Sequence, residues 1–197
     1  MSARDVAVFV SGGGRSLENL AEQSAAGDCS ANLKLVLSNR SDAFALQRAE
    51  RLGIPTAVLD AERQLSPAEF ADAAYELVRE HGCETIVLAG FLRLLPVAAE
   101  WEGRVLNIHP SLLPAFGGKG YYGERVHRAV IERGVQFTGC TVHYVTDEYD
   151  AGPILLQRCI RVEAGEDAES LAARVFEEEK IALPEAIELH FARVNQR

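Results

Sequence analysis

The sequence holds one tryptophan, one methionine and four cysteines in 197 residues. Cys29, Cys83, Cys140 and Cys159 form no Cys-x-x-Cys pair, which argues against a zinc knuckle or a thioredoxin-like motif and leaves reduced, mostly buried thiols as the expectation. Apolar runs long enough to span a bilayer are lacking, and Met1–Asp5 passes directly into a strand-like Val6–Val10 without the apolar stretch of a signal peptide. A cytoplasmic protein is therefore expected. Basic residues are outnumbered, 20 against 29 acidic ones for a net charge of −9, and they are scattered along the chain. Nucleic acid and anionic membranes are poor partners for such a surface, although a single phosphate is not. Histidines and carboxylates do not recur at metal-ligand spacing, so no metal is expected.

At this length, with 48% hydrophobic residues, one domain spanning 1–197 is expected to bury a substantial core. Short apolar runs alternate with helical patterns. Val6–Val10, Leu33–Leu37, Thr56–Leu59 and Thr85–Leu88 read as strands, with helices expected over about 16–26, 42–52 and 66–81. Strand, helix, strand in this order predicts a parallel sheet. Ser66-Pro67 followed by Glu69 is the signature of a capped helix start. Further on, a helix is expected over 124–133, two β-rich runs over 137–146 and 154–162 are close enough for an antiparallel hairpin, and a last helix over 168–191 is expected to be interrupted at Pro184. The fold class is thus α/β, a Rossmann-like, mostly parallel twisted sheet with helices on both faces and an antiparallel C-terminal extension.

Chemistry concentrates at three places. Asn107-Ile108-His109 ends a short apolar run and precedes Pro110-Ser111-Leu112-Leu113-Pro114. Residues two apart on a strand face the same way, so the amide and the imidazole would stand together where the prolines stop the strand. Alternatively, such a pair satisfies loop backbone groups and nothing more. Thr146–Pro153 is an acidic, glycine-bearing turn able to bring a carboxylate to that imidazole. Ser11-Gly12-Gly13-Gly14-Arg15-Ser16, between the first strand and first helix, reads either as a phosphate cradle at a helix N-terminus or as a plain tight turn. It is not a Walker loop, and Leu17 stands where a dinucleotide fingerprint needs its third glycine. His143 shares a strand side with Thr141 and Val145 and either backs the site or is structural. His81, His127 and His190 are expected at the surface or at helix ends.

The segments Val105–Pro114, Leu88–Leu95 and Asp147–Ile154 together resemble the phosphoribosylglycinamide formyltransferases of the folate-dependent formyltransferase group, over nearly the whole chain. That resemblance implies transfer of a formyl group from 10-formyltetrahydrofolate, as cosubstrate, to the glycine amine of 5-phosphoribosylglycinamide in purine synthesis. It implies catalytic roles for Asn107, His109 and Asp150, with Asp150 favouring a protonated His109. Gly14, Arg15 and Ser16 match the loop for the substrate phosphate, and Glu179 matches a ribose-binding glutamate, although Glu177–Glu179 also reads as a solvated charge run. Leu92, Arg93, Leu94 and Leu95, with Thr146, Asp147, Glu148, Tyr149 and Asp150, match segments flanking the pterin, beside Asn107.

Two departures from the family pattern stand out. Gly14-Arg15-Ser16 replaces the usual Gly-Ser-Asn, and Phe116–Tyr122 is longer than the usual loop, while the arginine near the folate tail is missing around Pro67. The partners implied are small molecules, with the protein a monomer or homodimer. The alternatives are a formyltransferase for another amine acceptor, a formyltetrahydrofolate hydrolase, whose additional regulatory domain this length leaves no room for, and a noncatalytic binder.

Overall fold

The computed structural model describes residues 4–59 and 65–195, and the chain forms two compact units that meet in sequence between Leu106 and Asn107. In the first unit, β1 (Arg4–Val10), β2 (Ala31–Ser38), β3 (Thr56–Val58) and β4 (Thr85–Leu88) alternate with α1 (Arg15–Ala26), α2 (Phe44–Arg51) and α3 (Pro67–Glu80). The strands run parallel in the order β3-β2-β1-β4. Val6–Val10 are all buried, the uninterrupted apolar run of a strand covered on both faces. A short 3-10 turn, Ala99–Trp101, sets Trp101 flat against Tyr75 at 5.3 Å between ring centres.

The start of α3 shows local sequence dictating local structure. The Glu69 N–H donates to Ser66 Oγ at 3.2 Å, and the Ser66 N–H donates to Glu69 Oε2 at 2.9 Å. This is the reciprocal cap expected from the motif, with Pro67 in the first turn, where its missing N–H does no harm.

β5 (Val105–His109) leads into the second unit, which continues with α4 (Glu124–Arg133), β6 (Phe137–Tyr144), β7 (Ile154–Arg161) and α5 (Ala168–Val194). β6 and β7 pair antiparallel from Phe137↔Arg161 to His143↔Ile154, with an irregularity between Val142 and His143. The expected hairpin is present, as are the α/β class and its parallel strands. Gly139 and Gly152 permit the hairpin, because a Cβ on Gly139 would lie 1.8 Å from the Arg158 carbonyl oxygen and one on Gly152 1.7 Å from that of Tyr144.

Three expectations are corrected. Pro184 does not interrupt α5, which runs through it; the proline ring is buried on the helix's apolar side with Leu183 and Ile187, so packing outweighs the lost hydrogen bond. His127 and His190 are core residues, 4% and 1% exposed. Each lies one helical step from buried neighbours, His127 from Val130 and His190 from Ile187, and so falls on the stripe that faces inward. His81 does cap a helix end, its Nδ1 2.8 Å from the Leu77 carbonyl. Among the described residues no helix is long and apolar enough to cross a membrane.

Replacing Ser66 by alanine should remove the half of the cap made by its hydroxyl and leave the other, in which the backbone N–H of residue 66 donates to Glu69. The expected loss is about 1 kcal/mol, a fall of roughly 2–4 °C in the thermal midpoint for a chain of this size, read by calorimetry on the two proteins side by side.

Candidate active site

β5 stops at Pro110, and its last turn of pleat presents Asn107 and His109. Val105, Leu106 and Ile108 are buried, so the two polar side chains are the strand's only departures from an apolar run. Asn107 is half-buried and His109 is buried at 4% exposure.

The carboxylate expected from the β6–β7 turn is there. Asp150 Oδ2 lies 3.5 Å from His109 Nδ1, and Asn107 Nδ2 donates to Asp150 Oδ1 at 3.4 Å. Asp150 has φ +55°, a left-handed conformation that aspartate tolerates better than most side chains, and such strain persists only where the surroundings hold it. Here the holder is the Gly118 N–H, donating to Oδ2 at 2.8 Å. Gly117 leaves room for it: a Cβ there would meet Leu113 Cδ2 at 2.5 Å and Asp150 Cβ at 3.2 Å.

The ring nitrogens follow from their partners. His109 Nε2 faces the Phe116 carbonyl at 2.9 Å. A carbonyl only accepts, so Nε2 carries a proton and Nδ1 is the nitrogen turned to Asp150. By the same reasoning His143 carries a proton on Nδ1, 2.9 Å from the Tyr144 carbonyl, and its Nε2 accepts from Asn107 Nδ2 at 3.0 Å. Both amide hydrogens of Asn107 thus point at His143 and Asp150, which fixes the carboxamide orientation. His143 therefore backs the site, as one of its two sequence readings held.

The charges are set by opposing effects. Burial, the largest influence on Asp150, pushes its carboxyl up, but the His143 ring, the His109 ring and the Gly118 N–H together hold it below its ordinary value. For His109 burial wins: it lowers the ring's pKa although Asp150 and the Phe116 carbonyl raise it. Asp150 does favour imidazolium, as expected, but the expected net protonation is corrected, because a 3.5 Å contact does not offset the loss of water around a buried ring.

Several contributors left no clear sequence signal. Thr141 Oγ1 donates to the Ser111 carbonyl at 2.7 Å and accepts from the Leu113 N–H and from Gln157 Nε2, both at 3.0 Å. Gln157 Nε2 also donates to the Leu113 carbonyl at 3.0 Å, and Ser111 Oγ to that of Ala115 at 2.6 Å. This clamp holds the loop whose Phe116 carbonyl fixes His109, and the loop includes a cis Leu113–Pro114 peptide. The clamp's backbone partners have no side-chain signature. In the sequence Thr141 stands out only as a neighbour of His143 on one side of a strand.

The remaining predicted residues divide between the units. Gly14, Arg15 and Ser16 open α1 in the first unit, with Gly14 as N-cap at φ +76° and Arg15 exposed. A Cβ on Gly14 would meet Ala45 Cβ at 2.6 Å, whereas Cβ atoms on Gly12 or Gly13 would meet nothing within 4 Å. The turn explains Gly14 and leaves Gly12 and Gly13 without a packing reason. Leu92 is exposed and Leu95 buried, and Arg93 stacks over Phe70 at 4.2 Å and donates to the Leu65 carbonyl at 2.6 Å. Thr146–Tyr149 precede Asp150 in the β6–β7 turn.

Glu179 is half-buried and helps, after burial, to raise the buried Cys140 thiol to about 12. Glu178 pairs with Arg158 at 2.6 Å and Glu177 with Lys180, so the run of three acids is not a uniformly solvated face. No group of three or more His, Cys, Asp or Glu able to hold a metal occurs among the described residues.

The chain belongs to the formyl transferase family, whose pattern matches residues 4–187. It is 44% identical over 186 residues to the trifunctional purine biosynthetic protein adenosine-3 of Gallus gallus, covering 93% of this chain and 18% of that protein. With the chloroplastic phosphoribosylglycinamide formyltransferase of Vigna unguiculata it shares 42% identity over 191 residues, 94% of this chain and 60% of that one. The chain thus spans less than two thirds of either relative. The crystal structure of phosphoribosylglycinamide formyltransferase from Brucella melitensis superposes with a TM-score of 0.86 at 38% identity, covering 97% of this chain and 96% of that one.

Two measurements test the geometry. Asp150→Asn removes a charge that raises His109, so the ring's midpoint, already below the ordinary 6.5, should fall further when followed by NMR of labelled histidine. Because the folded ring resists a proton that the unfolded chain accepts, His109's contribution to stability is full above about pH 6.5 and declines below it. Thr141→Val should cost about 2–4 kcal/mol, since it strands the buried Leu113 N–H and Ser111 carbonyl, measured by urea unfolding.

Proposed function

We propose that this protein transfers the formyl group of 10-formyltetrahydrofolate to the glycine amine of 5-phosphoribosylglycinamide. The observation that carries the reading is the Asp150 carboxylate, held below its ordinary pKa within 3.5 Å of both Asn107 and His109. The named activity of the Vigna unguiculata and Brucella melitensis proteins supports the same choice of reaction.

The amine nitrogen attacks the formyl carbon, the carbonyl electrons move onto its oxygen, and the bond to folate N10 breaks as the carbonyl re-forms. One proton leaves the amine and one arrives at N10, so none is consumed. Asp150, ionised, accepts the amine's proton, directly or through a water. His109 Nδ1, facing Oδ2, receives it and delivers it to N10 as general acid. A buried ring that resists protonation is a strong acid once charged, which suits a proton held only in transit. Asn107 meets the developing oxyanion by turning an amide hydrogen from the 3.4 Å contact with Asp150, an interaction of the kind that contributes roughly 3–4 kcal/mol in the transition state.

Gly12 and Gly13, unobstructed beside the start of α1, let backbone amides approach the substrate phosphate with Gly14, Arg15 and Ser16, and Glu179 takes the ribose. The exposed Leu92 and the backbone of 92–95, with 146–150, flank the pterin. The reaction belongs to the cytoplasm, with the enzyme a monomer or a homodimer.

Following the absorbance of 10-formyltetrahydrofolate with and without phosphoribosylglycinamide tests this directly. Consumption that depends on the acceptor is expected; consumption without it would mean a hydrolase, and none at all a binder. His109→Ala and Asp150→Asn should each lower kcat about a hundred- to ten-thousandfold with the thermal midpoint shifted by only a few degrees. Near-normal turnover in either would remove the assigned roles.

A further inference from the structure

Ser11 is 3% exposed at the end of β1, and its hydroxyl has two partners on different chain segments. Oγ donates to Asn39 Oδ1 at 2.6 Å and accepts from the Leu92 N–H at 2.8 Å. The residue's own N–H donates to the Gly90 carbonyl at 3.1 Å. Residue 11 therefore grips the segment 90–92 at two points, one through the backbone and one through the side chain. A hydroxyl has a single proton. With the Leu92 N–H as donor on its lone pair, that proton goes to Asn39, and the bond to Asn39 fixes the rotor in the orientation that receives Leu92.

The consequence falls on Leu92. The chain turns at Gly90, φ +74°. Phe91 then drops into the core against Phe9 at 5.5 Å and Phe70 at 5.9 Å between ring centres, and Leu92 stands out, 47% exposed. Leu95 returns to the core, and Arg93 is tied to Phe70 and Leu65. An apolar side chain displayed between two buried ones, with its backbone N–H held by a buried hydroxyl, is a fixed contact surface. Core packing alone does not require it.

We propose that Ser11 is a positioning residue for the formyl donor: through its hydroxyl it sets the backbone at Leu92 and so the wall against which the pterin ring rests. This rests on the functional reading above, in which 92–95 flank the pterin. Ser11 itself touches neither substrate.

Ser11→Ala removes both hydrogen bonds and leaves the Leu92 N–H without its partner. The expected result is a rise of about tenfold in KM for 10-formyltetrahydrofolate and a matching weakening of tetrahydrofolate binding by calorimetry. KM for phosphoribosylglycinamide and kcat should stay within about twofold. Ser11→Thr, which keeps the hydroxyl, should restore the donor KM, and Asn39→Ala, which frees the rotor but leaves Ser11 able to receive Leu92, should fall between. A donor KM unchanged in Ser11→Ala would overturn the inference. Equal rises in both Michaelis constants, the signature of general loosening, would overturn it as well, as would failure of Ser11→Thr to recover. If the unmodified protein binds no tetrahydrofolate, the functional reading falls and takes this inference with it.

Discussion

The site depends on one carboxylate being held where the chain does not readily put it. Asp150 occupies a left-handed backbone conformation and is half-buried, two conditions that each oppose an ionised aspartate in a turn. The Gly118 amide and the Asn107 carboxamide supply the opposing hydrogen bonds, and the two neighbouring imidazoles add to them when they carry a second proton. Remove the carboxylate and Asn107 loses a partner, His109 loses the charge that opposes its desolvation, and the 116–118 loop loses its tie to the β6–β7 turn.

The tie runs both ways. The loop that offers Gly118 to Asp150 also offers the Phe116 carbonyl to His109, and it is anchored through Thr141 and Gln157 to the same two strands whose turn carries Asp150. Strand tip, loop and turn form a closed circuit of hydrogen bonds within one unit. Apart from the exposed Gln157 its members are buried or half-buried, so their bonds are strengthened by dry surroundings and a missing partner among them would be expensive.

Much of this was legible in the residues. Alternating apolar runs and helical patterns revealed the parallel strands, Ser66-Pro67 and Glu69 foretold a cap that formed as expected, and Asn107 with His109 marked the strand tip because prolines forbade further strand. What could not be read was carried by backbone groups: the Phe116 carbonyl and the Gly118 amide leave no side-chain trace. His127 and His190 were misplaced because a histidine near a helix end looks polar in sequence, and only packing reveals which stripe it joins. The protonation of His109 was misjudged for a related reason, since a neighbouring acid is visible in sequence and desolvation is not. The roles of Arg15 and Glu179 belong to the functional reading, as local structure leaves Arg15 exposed and Glu179 half-buried.

Gly152 carries a further implication for how this hairpin tolerates change. Its hydrogen side faces the Tyr144 carbonyl with no room for a methyl, and that same carbonyl accepts the His143 proton. A side chain at 152 would have to displace an oxygen that dictates an imidazole tautomer, so even the smallest substitution there would register as altered chemistry as well as altered packing. The neighbouring Asp147, Glu148 and Tyr149, all on the open side of the turn, are free of that restriction.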